Sequence, residues 1–309
     1  MKTKILFALF LFSSLLFSGC LFDNSSSSSV NYWSYSNGLI QVSSNRPYNG
    51  YKLISIESNT SSLLLENITY SSIDSVNVSA LLAIPQQNGI PLQNTNGAVF
   101  MPGASVNKEG GWNNATGQAL EKSGFTVIII DARGVGDTPG PIEPLQNEVA
   151  DFSSGNLSQS HLQIFDYLGA FDVLSHLSTV NSSRIIMSGE SNGARFAIIA
   201  CALAPRAVGV LAISTAGFGM SFNSNPQLSS FFYSIDPDNY VGLISPRPVI
   251  FMHSKVDPEI PYQDALTTYS YANSPKQFIT INCSNHGFCE NISGLVGLVS
   301  NQMIANYSH

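Results

Sequence analysis

Chemistry is concentrated in the string Gly189-Glu190-Ser191-Asn192-Gly193, which matches G-x-S-x-G. In a chain with 24 glycines the string alone is weak, and its surroundings carry the reading. A β-type run, Arg184-Ile185-Ile186-Met187-Ser188, leads directly into it, and an apolar helical stretch over 194–204, closed by Pro205, leads out. A serine on so sharp a strand-to-helix turn is a nucleophile elbow. The serine backbone is strained there, and glycine two residues on either side lets strand and helix approach without a Cβ between them. The N–H of Asn192, at the start of the helix, is then a donor for an oxyanion. Glu190 has two readings beside the nucleophile: it tunes the site, or it caps the turn.

A serine hydroxyl is a poor nucleophile until an adjacent base takes its proton, and the base needs a carboxylate to orient it. After Ser191 the histidines are His253, His286 and His309, and the acids include Asp236, Asp238, Asp257, Glu259 and Asp264. Residue types alone leave that choice open. Cys283 and Cys289 bracket His286. In an oxidising compartment a disulfide between them would brace the loop carrying the histidine; two free thiols are the alternative. Cys201, inside the apolar helix, reads as a small buried hydrophobe. Trp112 is placed to wall an acyl pocket or simply to pack, and Phe218, Phe222, Phe231, Phe232 and Tyr233 to cover the site or fill a cap core.

The elements that must hold these groups are legible in outline. Residues 51–57, 62–70 and 76–84 read as an antiparallel meander. Beyond them the pattern changes to strands and helices in turn. Short apolar strands are expected at 98–101, 125–130, 184–188, 208–213, 248–253 and 278–281, with helices ending near 123 and spanning 162–177, 194–204, 265–272 and 292–305. The run Phe125-Thr126-Val127-Ile128-Ile129-Ile130 has no polar alternation, as in a parallel sheet covered on both faces. The fold class is therefore α/β, a doubly wound, mostly parallel sheet preceded by a meander, with function at the carboxyl ends of the strands. Residues 217–240, rich in Ser, Asn and Phe, are the candidate lid or small cap, and 134–144 a surface loop.

With these elements in place, the chain resembles the α/β-hydrolase superfamily over about residues 50–309. Met101-Pro102-Gly103-Ala104-Ser105 resembles the family's oxyanion loop, with Pro102 where histidine is usual, and Asp131-Ala132-Arg133-Gly134-Val135-Gly136-Asp137-Thr138 resembles its D-x-R-G-x-G-x-S turn. The resemblance implies a triad in the order Ser, acid, His. His286, just after the last strand, falls where the family has its base. His253-Ser254-Lys255-Val256-Asp257-Pro258-Glu259-Ile260-Pro261 resembles H-G-x-x-D-x-x-V-P, which singles out Asp257. On that basis Ser191, Asp257 and His286 are the catalytic set, and the N–H groups of Asn192 and Ala104 the oxyanion donors. Arg133 is expected to tie loops together, and Glu259 and Asp264 to be solvated residues at a helix start. The meander resembles the dienelactone hydrolase and prolyl oligopeptidase branches.

The first thirty residues read as an address. Lys2 and Lys4 precede an apolar run over 5–17, too short to span a bilayer and ordered like an export signal. Phe17-Ser18-Gly19-Cys20 resembles a lipobox, with Phe17 where leucine is usual, so Cys20 is the lipidation candidate; an ordinary cleaved signal is the alternative. The expected organisation is a signal over 1–19, a lipid-anchored flexible tether over 20–49 containing Ser25 to Ser29, and a hydrolase domain over 50–309. Sequons at Asn24, Asn59, Asn67, Asn77, Asn114, Asn156, Asn181, Asn282, Asn291 and Asn306 are glycosylation candidates or Asn- and Ser-rich drift.

Composition sets the outer limits. Of 309 residues 44% are hydrophobic and only 11% charged, against about 25% in an average soluble chain. A charge-rich disordered protein is excluded. The net charge of −7 offers no cation excess for nucleic acid. Gly134-x-Gly136 lacks the spacing of a phosphate loop, and neither a cofactor nor a metal is expected. The expected function is that of an exported, lipid-anchored serine hydrolase cleaving small carboxylic esters. A short-peptide hydrolase of prolyl oligopeptidase type is the competitor, and a non-catalytic surface-binding lipoprotein on the same scaffold the rival of another class.

Overall fold

A computed structural model describes residues 32–43, 45–113, 116–219 and 225–307. The expected signal over 1–19, Cys20, the tether over 20–31, the sequons at Asn24 and Asn114, Phe222 and His309 lie outside the described residues.

The described chain opens on a hairpin of β1 (Trp33–Ser36) and β2 (Leu39–Val42). Over the described residues 32–43 the flexible tether expected for 20–49 is instead this hairpin. Ile40 is fully buried, and its N–H donates to the Tyr240 hydroxyl at 3.0 Å. Tyr35 packs edge-on against Phe152, and the Arg46 guanidinium pairs with Asp172 at 2.7 Å. The surface that receives Trp33, Tyr35 and Leu39 comes from residues far along the chain, so a short polar-looking segment gave no local sign of it.

β3 (Tyr51–Asn59), β4 (Leu63–Ser71) and β5 (Asn77–Gln87) form the meander, and β6 (Ile90–Pro91) adds a short pairing to β5. Next come β7 (Thr95–Met101), α1 (Lys108–Asn113), α2 (Thr116–Lys122) and β8 (Phe125–Ile130). α3 (Leu145–Ser153), α4 (Gln159–His176), β9 (Val180–Glu190), α5 (Ser191–Leu203) and β10 (Val210–Ile213) follow. The chain continues with α6 (Pro226–Ile235), β11 (Val249–Ser254), α7 (Tyr262–Tyr271), β12 (Lys276–Ile281) and α8 (Ser293–Tyr307).

The main sheet runs in the order β12-β11-β10-β9-β7-β8-β5-β4-β3, with β6 beside β5. Strands β7 to β12 are parallel to their neighbours, and the meander joins them antiparallel through β5 and β8. The all-apolar strands are covered on both faces because their side chains alternate between two cores. On β10, Val210 and Ala212 face a core shared with α4 and α5, and Leu211 and Ile213 one shared with α2 and α8. Each fully buried aliphatic side chain there is worth about 1.5–3 kcal/mol of transfer free energy. Parallel register then aligns the strand ends that matter: Met101 pairs with Gly189, Ile213 with Glu190, and Ser254 with Ile281.

Candidate active site

The strand β9 ends at Glu190 and the helix α5 begins at Ser191, whose φ is +53°. A left-handed backbone at a non-glycine residue costs about 1–3 kcal/mol and lifts the side chain clear of the sheet edge. The flanking glycines are required by contact. A Cβ on Gly189 would lie 2.6 Å from the Gly193 carbonyl carbon, and one on Gly193 would lie 2.2 Å from the Met101 carbonyl oxygen. Strand, helix and the end of β7 therefore pack backbone to backbone, and no other residue fits.

Because Met101 is paired with Gly189, the loop leaving β7 arrives beside the elbow. A Cβ on Gly103 would sit 3.3 Å from the Ser191 Cβ, and Ala104 lines the same cavity as Ser191. The N–H of Asn192, second residue of α5, belongs to the first helical turn, whose N–H groups have no acceptor inside the helix. Behind the loop, Lys108 is fully buried with its Nζ 3.0 Å from Asp131, 2.6 Å from Asp137 and 3.0 Å from Glu109. Burial alone would lower the Lys108 ammonium, but the hydrogen bonds it donates to Asp137, Asp131 and Glu109 win and raise it. The same Asp131 accepts the Lys108 N–H at 2.6 Å and the Asp137 N–H at 2.9 Å. The D-x-R-G-x-G-x-T turn thereby holds the loop that carries Ala104. Arg133, in that turn, binds Asp166 on α4 and Asp74 in the β4–β5 connection, away from the cavity.

The histidine and the carboxylate expected beside Ser191 arrive on the next aligned pair of strand ends. Asp257 follows β11 and His286 follows β12, and the two loops are joined by the Ser254 hydroxyl donating to the Cys283 carbonyl at 2.5 Å. His286 Nδ1 lies 2.9 Å from both carboxylate oxygens of Asp257. Burial by itself would raise the Asp257 carboxyl; the N–H groups of Ile260 and Glu259 and the His286 ring outweigh it and hold the group below its ordinary value. With Nδ1 donating to Asp257, Nε2 carries the lone pair, and it has no hydrogen-bond partner among the described residues. Cys283 and Cys289 are bonded, closing a short ring around His286. His253, fully buried, donates its Nε2–H to the Ile260 carbonyl at 3.0 Å, and burial lowers its pKa; it braces the Asp257 loop rather than facing the cavity.

Ser191, His286, Gly103, Ala104 and Phe288 line one cavity of about 340 Å³. Two acids line it as well. Glu259, expected as a merely solvated helix-start residue, is exposed but stands at the cavity wall with an oxygen 3.8 Å from His286 Nε2. Glu190 is buried and does not cap α5; its carboxylate instead accepts a hydrogen bond from the Thr116 hydroxyl. Burial pushes the Glu190 carboxyl up to about 7, against the opposing pull of Thr116 and of the His286 charge. Nothing in the sequence signals Thr116, the first residue of α2, which reaches Glu190 from a distant segment of the chain.

Of the two readings of the aromatics, cover and packing, the described residues take the second. Phe231, Phe232 and Ile235 on α6 cluster with Val149 and Phe152 of α3 and with Phe218, and Tyr233 is exposed. None of the described residues of 217–240 lines the cavity, nor does Trp112, which packs against the α2 and α8 side of the core.

A family model described as alpha/beta hydrolase fold matches residues 99–240. The chain is 28% identical over 173 residues to the Escherichia coli O157:H7 protein YfhR, covering 54% of this chain and 55% of that one, so it spans about half the length of that relative. It is 26% identical over 235 residues to the YfhR protein of Salmonella typhimurium, covering 72% and 74%. Among solved structures it is similar to the acetyl xylan esterase from Paenibacillus sp. R4, with a TM-score of 0.69 at 18% identity over 84% of this chain and 89% of that one. Acetyl xylan esterase 1 from Thermoanaerobacterium sp. JW/SL YS485 gives 0.67 at 16% identity over 82% and 87%. The parallel strand order, the antiparallel meander at its flank, the elbow after β9 and these likenesses come together in one conclusion: the chain has the α/β-hydrolase fold.

Proposed function

We propose that the chain is a serine hydrolase that cleaves esters of small carboxylic acids. The observation that carries the reading is the shared cavity: Ser191, held at φ +53°, faces the same space as a His286 whose other ring nitrogen is engaged by Asp257. His286 Nε2 takes the proton of the Ser191 hydroxyl as Oγ bonds the acyl carbon. The carbonyl electron pair moves onto oxygen, held by the N–H groups of Asn192 and Ala104. Collapse breaks the bond to the leaving alcohol, which receives the proton back from Nε2. Water then enters by the same route and frees the acid and Ser191. Ser191 and His286 are not hydrogen-bonded to each other, a geometry that commonly tightens only with substrate.

A small acyl group is favoured by the cavity of about 340 Å³ and by the neighbours named as acetyl xylan esterases. The peptidase reading has no comparable support. Labelling of the folded protein by a fluorophosphonate, lost in Ser191→Ala, tests the hydrolase reading; no labelling would favour a binding lipoprotein. p-Nitrophenyl esters beside proline-containing peptides separate esterase from peptidase by relative kcat/KM. The address at the N-terminus supports export and anchoring through Cys20. Cys20→Ala should move the protein from the membrane fraction to the soluble one, and unchanged partitioning would remove the anchor.

A further inference from the structure

We infer that Glu190 is a positioning residue of this site: its carboxylate, fixed by Thr116 next to Ser191, supports the positive charge that His286 acquires when it accepts the serine proton. The inference rests on the hydrolase reading and deepens it. Glu190 lines the cavity together with Ser191 and His286, and among the described residues no lysine or arginine does. One carboxylate oxygen accepts the Thr116 hydroxyl from α2. The other faces the His286 loop, where a Cβ on Gly287 would come within 3.3 Å of it; Gly287 has φ +82°, so this close approach is made by a residue that only glycine suits.

The neighbouring charges divide the work. Asp257 faces His286 from the β11–α7 loop on the Nδ1 side. Glu259, from the same loop, stands 3.8 Å from Nε2, but it is 68% exposed and its field is screened by water. Glu190 is buried, so its field is not. Among the charged groups of the described residues, His286 acts on Glu190, and it favours the ionised carboxylate. Attraction is mutual: a negative Glu190 favours the imidazolium. A glutamine would accept the Thr116 hydrogen bond equally well without the cost of a buried charge, so the hydrogen bond alone gives no reason for a carboxylate at this position.

The experiment measures kcat and KM for a neutral ester, p-nitrophenyl acetate, from pH 5 to 9 in wild type, Glu190→Gln and Thr116→Val, each checked for folding by its thermal melt. In wild type the acid limb of kcat should be steeper than one proton, because both His286 and Glu190 must be ionised correctly. Glu190→Gln should lower kcat about tenfold at pH 8, the equivalent of one pKa unit of support for the imidazolium, flatten the limb to a single proton and leave KM within about twofold. Thr116→Val, which withdraws a hydrogen bond from the carboxylate, should move the limb to higher pH and supplies the readout should Glu190→Gln not fold. A Glu190→Gln profile superimposable on wild type, or one lowered equally at every pH with the limb unchanged, overturns the inference. Turnover that depends on Ser191 but ignores Glu190 sinks this inference alone; wild-type protein with neither turnover nor fluorophosphonate labelling sinks the hydrolase reading beneath it.

Discussion

Asp257 holds His286 with both oxygens, each 2.9 Å from Nδ1, while its Oδ1 also accepts the N–H groups of Glu259 at 2.9 Å and Ile260 at 3.0 Å. A carboxylate so engaged is fixed in place and fixes the ring in turn. Its partner strands, β11 and β12, bring residues 29 positions apart in the chain to one point.

Asp257→Asn should therefore lower kcat by about 10⁴-fold, because an amide presents the wrong group to Nδ1 and spoils the tautomer. The melt should shift by only a few degrees, since the amide oxygen still accepts the two backbone N–H groups. Near-normal turnover in this variant would mean that another acid orients His286.

Ser191→Gly separates strain from function. The substitution removes the nucleophile and relieves a left-handed backbone, so it should raise stability by about 1 kcal/mol while abolishing turnover. Chemical denaturation beside an ester assay reads both; a loss of stability would show that the Ser191 backbone is not strained.

Gly193→Ala places a methyl 2.2 Å from the Met101 carbonyl oxygen, a backbone atom that cannot step aside without moving β7. A destabilisation of about 3 kcal/mol or more is expected, together with loss of turnover as the Ala104 loop shifts. A variant that melts with wild type would contradict the backbone-to-backbone packing at the elbow.

Reduction of the Cys283–Cys289 bond should cost about 2 kcal/mol by chain entropy for a loop this short, and lower turnover further by loosening His286. Mass spectrometry after alkylation without reductant checks the premise: both cysteines should be protected.

Glu190 predicts a pH dependence of stability with a definite sign. Its carboxyl is raised from 4.5 to about 7 in the folded chain, so between those values the folded state binds more protons than the unfolded one and stability falls as pH rises. Glu190→Gln should remove that loss and gain about 3 kcal/mol over wild type at pH 8, with little difference at pH 4. Urea melts at both values decide it; an equal shift at the two would assign the change to packing. Asp257 has the opposite sign: its lowered pKa adds stability above the ordinary carboxylate range, lost as pH falls through the folded value.

How much of the site was legible varies with how local its causes are. The elbow could be read because strand, serine and helix are contiguous in the chain, and residues 184–204 announce all three. Asp257 and His286 were reached by resemblance, since composition offers several acids and three histidines after Ser191 and nothing in their spacing joins two of them. Glu259 at the cavity wall, the Thr116 to Glu190 hydrogen bond and the β1–β2 hairpin under Tyr240 depend on segments that meet only in space. Whether the phenylalanines of α6 cover the site or fill a core of their own was open for the same reason: they pack against Val149 and Phe152 of α3, a partner from an earlier segment that meets them only in space.

The amino-acid sequence by itself determined the alternation of buried strands and apolar helices, and with it the sharp turn bearing Ser191, because side-chain periodicity and glycine placement act between near neighbours. Only the tertiary structure decided which histidine and which carboxylates share a cavity with that serine. Those choices depend on parallel register across the sheet, which aligns the ends of β7, β9, β11 and β12 through contacts between residues tens of positions apart.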